Sequence, residues 1–238
     1  MGGPEPVAEN HHRNVQGGAV RAGVFGMSDG LVSNVGLVLG VAGSNAASSF
    51  VRLAGMVSLV SGAFSMAAGE YLSMRAQTEL LEHELEMERT ELRRNPHSER
   101  QELAAIYASR GVDPDMAQEL AAEMMRDPEM ALETHAREEL GIDPAQLGSP
   151  VGAAASSFVA FAVGALIPLL PWLVSRGAAA AVASVILGVL GAVGIGAALG
   201  AATGRPPFRP ALRHLAVAGA AAAVGYVLGM LIGGTAPA

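Results

Sequence analysis

Four glutamates stand in two pairs, Glu88 with Glu91 and Glu99 with Glu102. A spacing of three puts each pair on one face of a helix. Asn95 and Pro96 lie between the pairs and break that helix, so two helices turning back there bring four carboxylates together as oxygen ligands for a divalent cation. Met124 and Met125, followed by Asp127 and Glu129, offer thioether sulfur beside further carboxylates, a donor mix that favours a transition metal over magnesium or calcium. The competing reading is plain: Glu-rich helices are more often solvated faces with Arg counter-charges, and adjacent methionines more often core. Glu79 and Glu82 repeat the spacing and read as surface.

A second group sits in apolar sequence. Asp29 and Glu70 are the only carboxylates within the apolar runs. An ionisable side chain in a bilayer costs several kcal/mol unless it faces the bundle interior or water, which makes both candidates for function. At 1.5 Å per residue Asp29 lies about 10 Å into the first run, and Met66 lies at a similar depth in the second. Asp29, Ser33, Gly36 and Gly40 share a stripe, with Asn34 nearby; Met66, Glu70 and Met74 share another. Oxygen and sulfur donors at one depth suit a partly dehydrated transition metal, with Glu70 at the membrane interface as the structural alternative. Pro168 and Pro171 kink the third run and free backbone carbonyls.

The elements that must carry these groups are legible in the composition. The chain has 238 residues, 51% hydrophobic and only 16% charged, with mean hydropathy +0.37, which marks a membrane protein. Eighteen of the 22 acids fall between Glu79 and Asp143, and none comes after Asp143. Five apolar runs are long enough to span a bilayer, near residues 22–43, 50–74, 151–174, 178–202 and 215–232. Arg13 and Arg21 precede the first, eight Arg lie between the second and third, and Arg205, Arg209 and Arg213 separate the fourth and fifth. By the positive-inside rule these regions are cytoplasmic, with the N-terminus in and the C-terminus out. Small residues four apart in the last two runs, Gly196 with Gly200 and Gly225 with Gly229 and Gly233, predict close helix packing. The acidic insert reads as three or four helices, the first continuing from the second span, with Asp113–Pro114 and Asp127–Pro128 as N-cap and first helical residue. The organisation is a tail over 1–20, spans one and two over 21–74, an acidic helical domain over 75–145 that is the candidate metal-binding domain, and spans three to five over 146–238.

Composition also excludes chemistry. There is no cysteine, hence no disulfide, thiolate site or sulfur nucleophile; all 15 basic residues are Arg, which removes lysine Schiff-base and P-loop chemistry. The net charge of −7 opposes nucleic-acid binding. A di-iron oxidase wants Glu-x-x-His on two helices, and none of His83, His97 or His135 follows a Glu by three; only Glu9 and His12, in the tail, do.

The strings Asp29-Gly30-Leu31-Val32-Ser33-Asn34 and Ala68-Gly69-Glu70-Tyr71-Leu72-Ser73, with GALIPLLP from Gly164 to Pro171, resemble the vacuolar iron transporter family over nearly everything after residue 20. The resemblance implies an all-α membrane protein: five transmembrane helices, a cytoplasmic metal-binding insert between spans two and three, and a homodimer in the lipid bilayer. It implies a secondary-active antiporter, not an enzyme, moving Fe2+ out of the cytosol in exchange for protons, with Mn2+ second and Co2+ or Zn2+ as further cargo. Asp29 and Met66 then line the path at the dimer interface, to which the helical stripes add Ser33, Asn34 and Glu70, and Glu88, Glu91, Glu99 and Glu102 with Met124 and Met125 form a capture site. The family's pattern has a glutamate three residues after the methionines, where this chain has Pro128; Glu129 and Asp127 are the alternatives. The absence of Lys, the Arg and Ala bias and the lack of an organelle signal favour a bacterial cytoplasmic membrane. The alternative function is a non-transporting membrane sensor or buffer of metal.

Overall fold

The computed structural model describes residues 18–144 and 147–233, and among these it is helical with no strand. Most of the expected tail over 1–20, including Arg13, Glu9 and His12, lies outside the described residues, as do the last five residues. The helices are α1 (Gly18–Gly43), α2 (Ser48–Arg94), α3 (Pro96–Ser109), α4 (Pro114–Met124), α5 (Pro128–Glu138), α6 (Pro150–Val174), α7 (Gly177–Ala202) and α8 (Phe208–Gly233). Five of them, α1, α2, α6, α7 and α8, are long and apolar enough to cross a membrane. The chain divides into two compact units, Met1–Leu72 with Pro150–Ala238, and Ser73–Ser149. Helix α2 is uninterrupted across the boundary because no Gly or Pro falls between Glu70 and Arg94.

In the first unit the small residues bring α1 into backbone contact with its neighbours. A methyl added at Gly30 would strike the Phe161 carbonyl of α6, and methyls at Gly225 and Gly229 of α8 would strike the Gly36 and Gly40 carbonyls of α1. Gly196 and Gly200 let α7 approach Ala211 and Pro207 at the start of α8. The small-residue spacing in the sequence thus serves packing within one chain. Lipid tails supply no hydrophobic drive for helix association, so such close van der Waals contact has to hold the bundle. Two buried hydrogen bonds assist: the Asn34 amide donates to the Ala165 carbonyl (2.6 Å) and the Ser184 hydroxyl to the Pro168 carbonyl (2.6 Å). Both acceptors lie on α6 near its internal prolines Pro168 and Pro171, around which the helix continues from Pro150 to Val174.

Helix α2 packs differently. It meets α6 through side chains, Gly62 against the Phe161 ring and Gly55 against Leu169, with Ala63 fully buried beside Phe161 and Ala165. Its other face is apolar and open, with Leu53, Val57, Val60 and Phe64 each more than half exposed.

In the second unit the turn chemistry ends and restarts each helix. Asn95 precedes Pro96 at the start of α3, and Gly111 takes φ +95° after α3. Such a conformation favours glycine. The Asp113 carboxylate accepts from the Asp115 and Met116 amides and the Asp127 carboxylate from the Glu129 and Met130 amides, capping α4 and α5. Leu103 and Ala104 of α3 pack on Ala117 and Ala121 of α4, while Leu85 of α2 packs on Leu132 and Ala136 of α5. Arg110, after α3, reaches the Glu138 carboxylate and donates to the Glu138 carbonyl (3.0 Å).

Candidate functional site

Two places gather chemistry, one in each unit. In the first, a cavity of about 500 Å3 opens between α1 and α2, with Phe161 of α6 as a wall. Asp29 and Ser33 line it from α1, and Ser58, Ser61, Ser65, Met66 and Glu70 line it from α2. Ser58, Ser61 and Ser65 recur at spacings of three and four and Met66 and Glu70 at four, so the two neighbouring rows share one side of α2. The three serines were legible from that spacing, once Met66 and Glu70 were known to face inward. The Ser33 hydroxyl lies one turn beyond Asp29 and donates to its carboxylate at 3.3 Å. Glu70 is 9% exposed and is held by Arg21 across the helix pair, Nη2 to Oε2 at 3.0 Å.

Asn34 does not join this cavity. Five residues after Asp29 it points about 140° around the helix, where it is fully buried and bound to α6. Its side-chain oxygen has no hydrogen-bond partner among the described residues. Asp29 also borders a second cavity, of about 290 Å3, with Ser28, Arg213 and His214. There Ser28 Oγ and His214 Nε2 are 3.2 Å apart, and His214 Nδ1 is 3.0 Å from the Pro210 carbonyl, one turn back.

In the second unit Glu88 of α2, Glu99 of α3, His135 of α5 and Glu139 just after α5 each offer one donor atom, and the four atoms lie within 4.8 Å of one another. Glu88, Glu99 and His135 are buried; Glu139 is exposed. His135 Nδ1 lies 3.2 Å from Glu88 Oε1 and 3.4 Å from Glu139 Oε2, and Nε2 has no hydrogen-bond partner among the described residues. Burial pushes the Glu88 carboxyl up to about 7, reinforced by the charges of Glu139, Glu99, Glu91 and Glu102. Glu99 is raised for the same reasons, burial first and then Glu102, while His135 acts in the opposite sense. Carboxylates crowded in this way are relieved by a proton or by a cation.

One member of each sequence-predicted pair is therefore in the cluster. Glu91 and Glu102 are exposed and reach it only through their charge. Met124 is packed instead in the α3–α4 core against Leu103, Ala104, Ala117 and Ala121. Met125 caps the end of α4, its amide bound to the Ala121 carbonyl, and Glu129 is exposed in the first turn of α5. The physical reason is the Asp127–Pro128 restart: it begins a new helix, and the buried face of α5 brings forward His135, ten residues beyond Met125. The sequence carries this as His135-x-x-x-Glu139, an i, i+4 pair, which differs in order and spacing from Glu-x-x-His.

A family model described as the VIT family matches residues 20–230, the α1–α2 cavity and the acidic cluster included. The chain belongs to the VIT family. A vacuolar iron transporter of Acanthamoeba castellanii is 40% identical over 191 residues, covering 77% of this chain and 69% of the relative. Vacuolar iron transporter 1 of Eucalyptus grandis is 32% identical, covering 88% and 85%, and vacuolar iron transporter 1 of Arabidopsis thaliana is 30% identical, covering 94% and 91%. Membership of the VIT family covers both units, so the two donor clusters belong to one matched region.

Proposed function

We propose that this protein transports ferrous iron across a membrane, out of the cytosol and in exchange for protons. The observation that carries the reading is the α1–α2 cavity, where one carboxylate and one thioether, Asp29 and Met66, face the same space with serine hydroxyls around them. Sulfur is a poor ligand for magnesium or calcium and a fair one for ferrous iron, with Mn2+, Co2+ and Zn2+ as competing cargo. Relatives named vacuolar iron transporters support iron as the first choice. Arginine placement supports a cytosolic N-terminus and a cytosolic second unit, and the export direction rests on that orientation. The membrane is a bacterial cytoplasmic one in this reading.

Exporting a divalent cation against an inside-negative potential costs about 4.6 kcal/mol per 100 mV, twice the unit-charge value, and two incoming protons cancel it. Asp29 is the proton carrier in this scheme because it is the carboxylate shared by both cavities. The open apolar face of α2 supports a homodimer with the path between protomers. In the second unit Glu88, Glu99, His135 and Glu139 form the capture site, three oxygens and one imidazole nitrogen, a set that suits a first-row transition metal.

Flux in proteoliposomes tests the scheme. Asp29→Asn abolishes metal-driven proton movement while the protein still folds, and Met66→Leu lowers transition-metal flux far more than it lowers folded protein. Coupled flux that is unchanged in both variants removes the cavity from the path. The same assay separates the alternative, a metal-buffering protein, which the compact four-donor cluster favours: such a protein binds metal without any flux.

A further inference from the structure

The turn between α7 and α8 gathers three arginines, of which Arg213 also borders the smaller cavity that Asp29 lines. Arg205, Arg209 and Arg213 succeed one another at intervals of four, and all three line a cavity of about 580 Å3 with Leu199, Thr203, Pro206 and Pro210. The same spacing puts Arg209 and Arg213 on one face of α8. Among the described residues no Asp or Glu forms an ion pair with any of the three. The first turn of α8 holds no acid, so the partial positive charge of the helix start adds to the same field.

The turn is also built. The Thr203 hydroxyl donates to the Leu199 and Gly200 carbonyls (2.9 and 3.1 Å), the Arg205 amide donates to the Gly200 carbonyl (3.0 Å), and Gly204 takes φ +65°. Pro206, Pro207 and Pro210 stiffen the entry into α8, and Gly200 admits Pro207 at a separation no side chain would allow. Arg205, Arg209 and Arg213 are exposed on this frame, where together they offer an anion with several oxygens three charged donors. Arginine's planar fork matches phosphate oxygens two at a time.

We propose that this cavity binds the phosphate group of an anionic membrane lipid. Phosphate is the shared chemistry, and the surroundings favour a lipid as its source. The turn joins two helices of membrane-crossing length, and Phe208 and Leu212, each beside one of the arginines, are 64% and 59% exposed as a seat for acyl chain. A charge run that served only to direct insertion would need neither the cavity nor the tied turn.

The test uses the full chain purified in neutral detergent, with binding read by native mass spectrometry. The probes are dioctanoyl phosphatidic acid, dioctanoyl phosphatidylcholine and inorganic phosphate. Phosphatidic acid binds at least tenfold more tightly than phosphatidylcholine or inorganic phosphate, and the triple variant Arg205→Gln, Arg209→Gln, Arg213→Gln loses that preference. Arg176→Gln, before α7, leaves it intact. The triple Arg→Lys variant keeps the charge that directs insertion and loses affinity severalfold, because the fork is gone. Should the Gln variant fail to insert, the Lys variant decides alone. Unchanged phosphatidic acid affinity in the Lys variant overturns the proposal, and inorganic phosphate binding as tightly as phosphatidic acid overturns the lipid assignment.

Discussion

Replacing Glu88 by Gln should weaken metal binding and stabilise the metal-free second unit at the same time. In the folded protein the Glu88 carboxyl is raised from 4.5 to about 7, with burial as the first cause. A carboxyl raised on folding contributes stability that is fully present below about 4.5 and is lost as pH climbs through about 7. The 2.5-unit interval corresponds to about 3 kcal/mol lost between those limits. Gln keeps the size and carries no proton to lose, so at pH 8 the α2–α5 packing around Leu85, Leu132 and Ala136 should open less often in the metal-free variant than in the parent. Hydrogen exchange of the α5 amides measures that difference. Metal displaces the same proton, so the parent's apparent affinity should fall about fivefold from pH 7 to pH 6 and about tenfold from pH 6 to pH 5 on account of Glu88 alone. In the variant the affinity is lower throughout and its dependence on pH is shallower by about one proton. Calorimetry with Mn2+, which resists oxidation, gives both quantities. An unchanged pH slope, or a metal-free variant that exchanges faster at pH 8, would falsify the assignment of the shared proton to Glu88.

Three smaller perturbations separate packing from chemistry. Gly225→Ala forces a methyl against the Gly36 carbonyl and should cost about 1–3 kcal/mol, read as lost thermostability in detergent, whereas Gly219→Ala, with nothing within 4 Å, should be neutral. Asn34→Ala removes the bond to the Ala165 carbonyl at a cost of about 1 kcal/mol, and flux per folded molecule should keep its metal preference; a changed preference would return Asn34 to the path. Asp113→Ala uncaps α4 and should destabilise the α3–α4 core by about 1 kcal/mol while leaving affinity at the Glu88 cluster nearly unchanged, as titration would report.

How far the sequence discloses each feature depends on the range over which the governing rule acts. A membrane-crossing helix is specified by its own 20 or so residues, so the five apolar runs are readable one at a time. Four of them start within four residues of their helices. Helix α8 instead begins at Phe208, seven residues before the apolar run, because a helix carries Arg209 and Arg213 in its polar first turns as readily as a loop does. Asp113–Pro114 and Asp127–Pro128 are similarly local, since cap and proline act within one turn. The donor clusters depend on relations between helices, and there the reading divides. Asp29 and Met66 were paired by depth, a quantity that rise per residue supplies, and they do line one cavity. Asn34 was grouped with them by proximity in sequence, yet a rotation of five residues carries it to α6. At the acidic cluster, periodicity identified faces but not which member of each pair faces inward. Glu88 and Glu99 are buried because α5 covers them, and the α5 residues that complete the set, His135 and Glu139, are chosen by the register of that helix against α2. That register rests on Leu85 meeting Leu132 and Ala136, contacts made across more than 40 residues of chain, which no local spacing encodes. Sulfur makes Met124 and Met125 candidate donors, but α4 spends its apolar face on Leu103 and Ala104 of α3. A donor atom binds metal only where packing leaves it free to turn inward, and in α4 the packing of the short helix has first claim on that face.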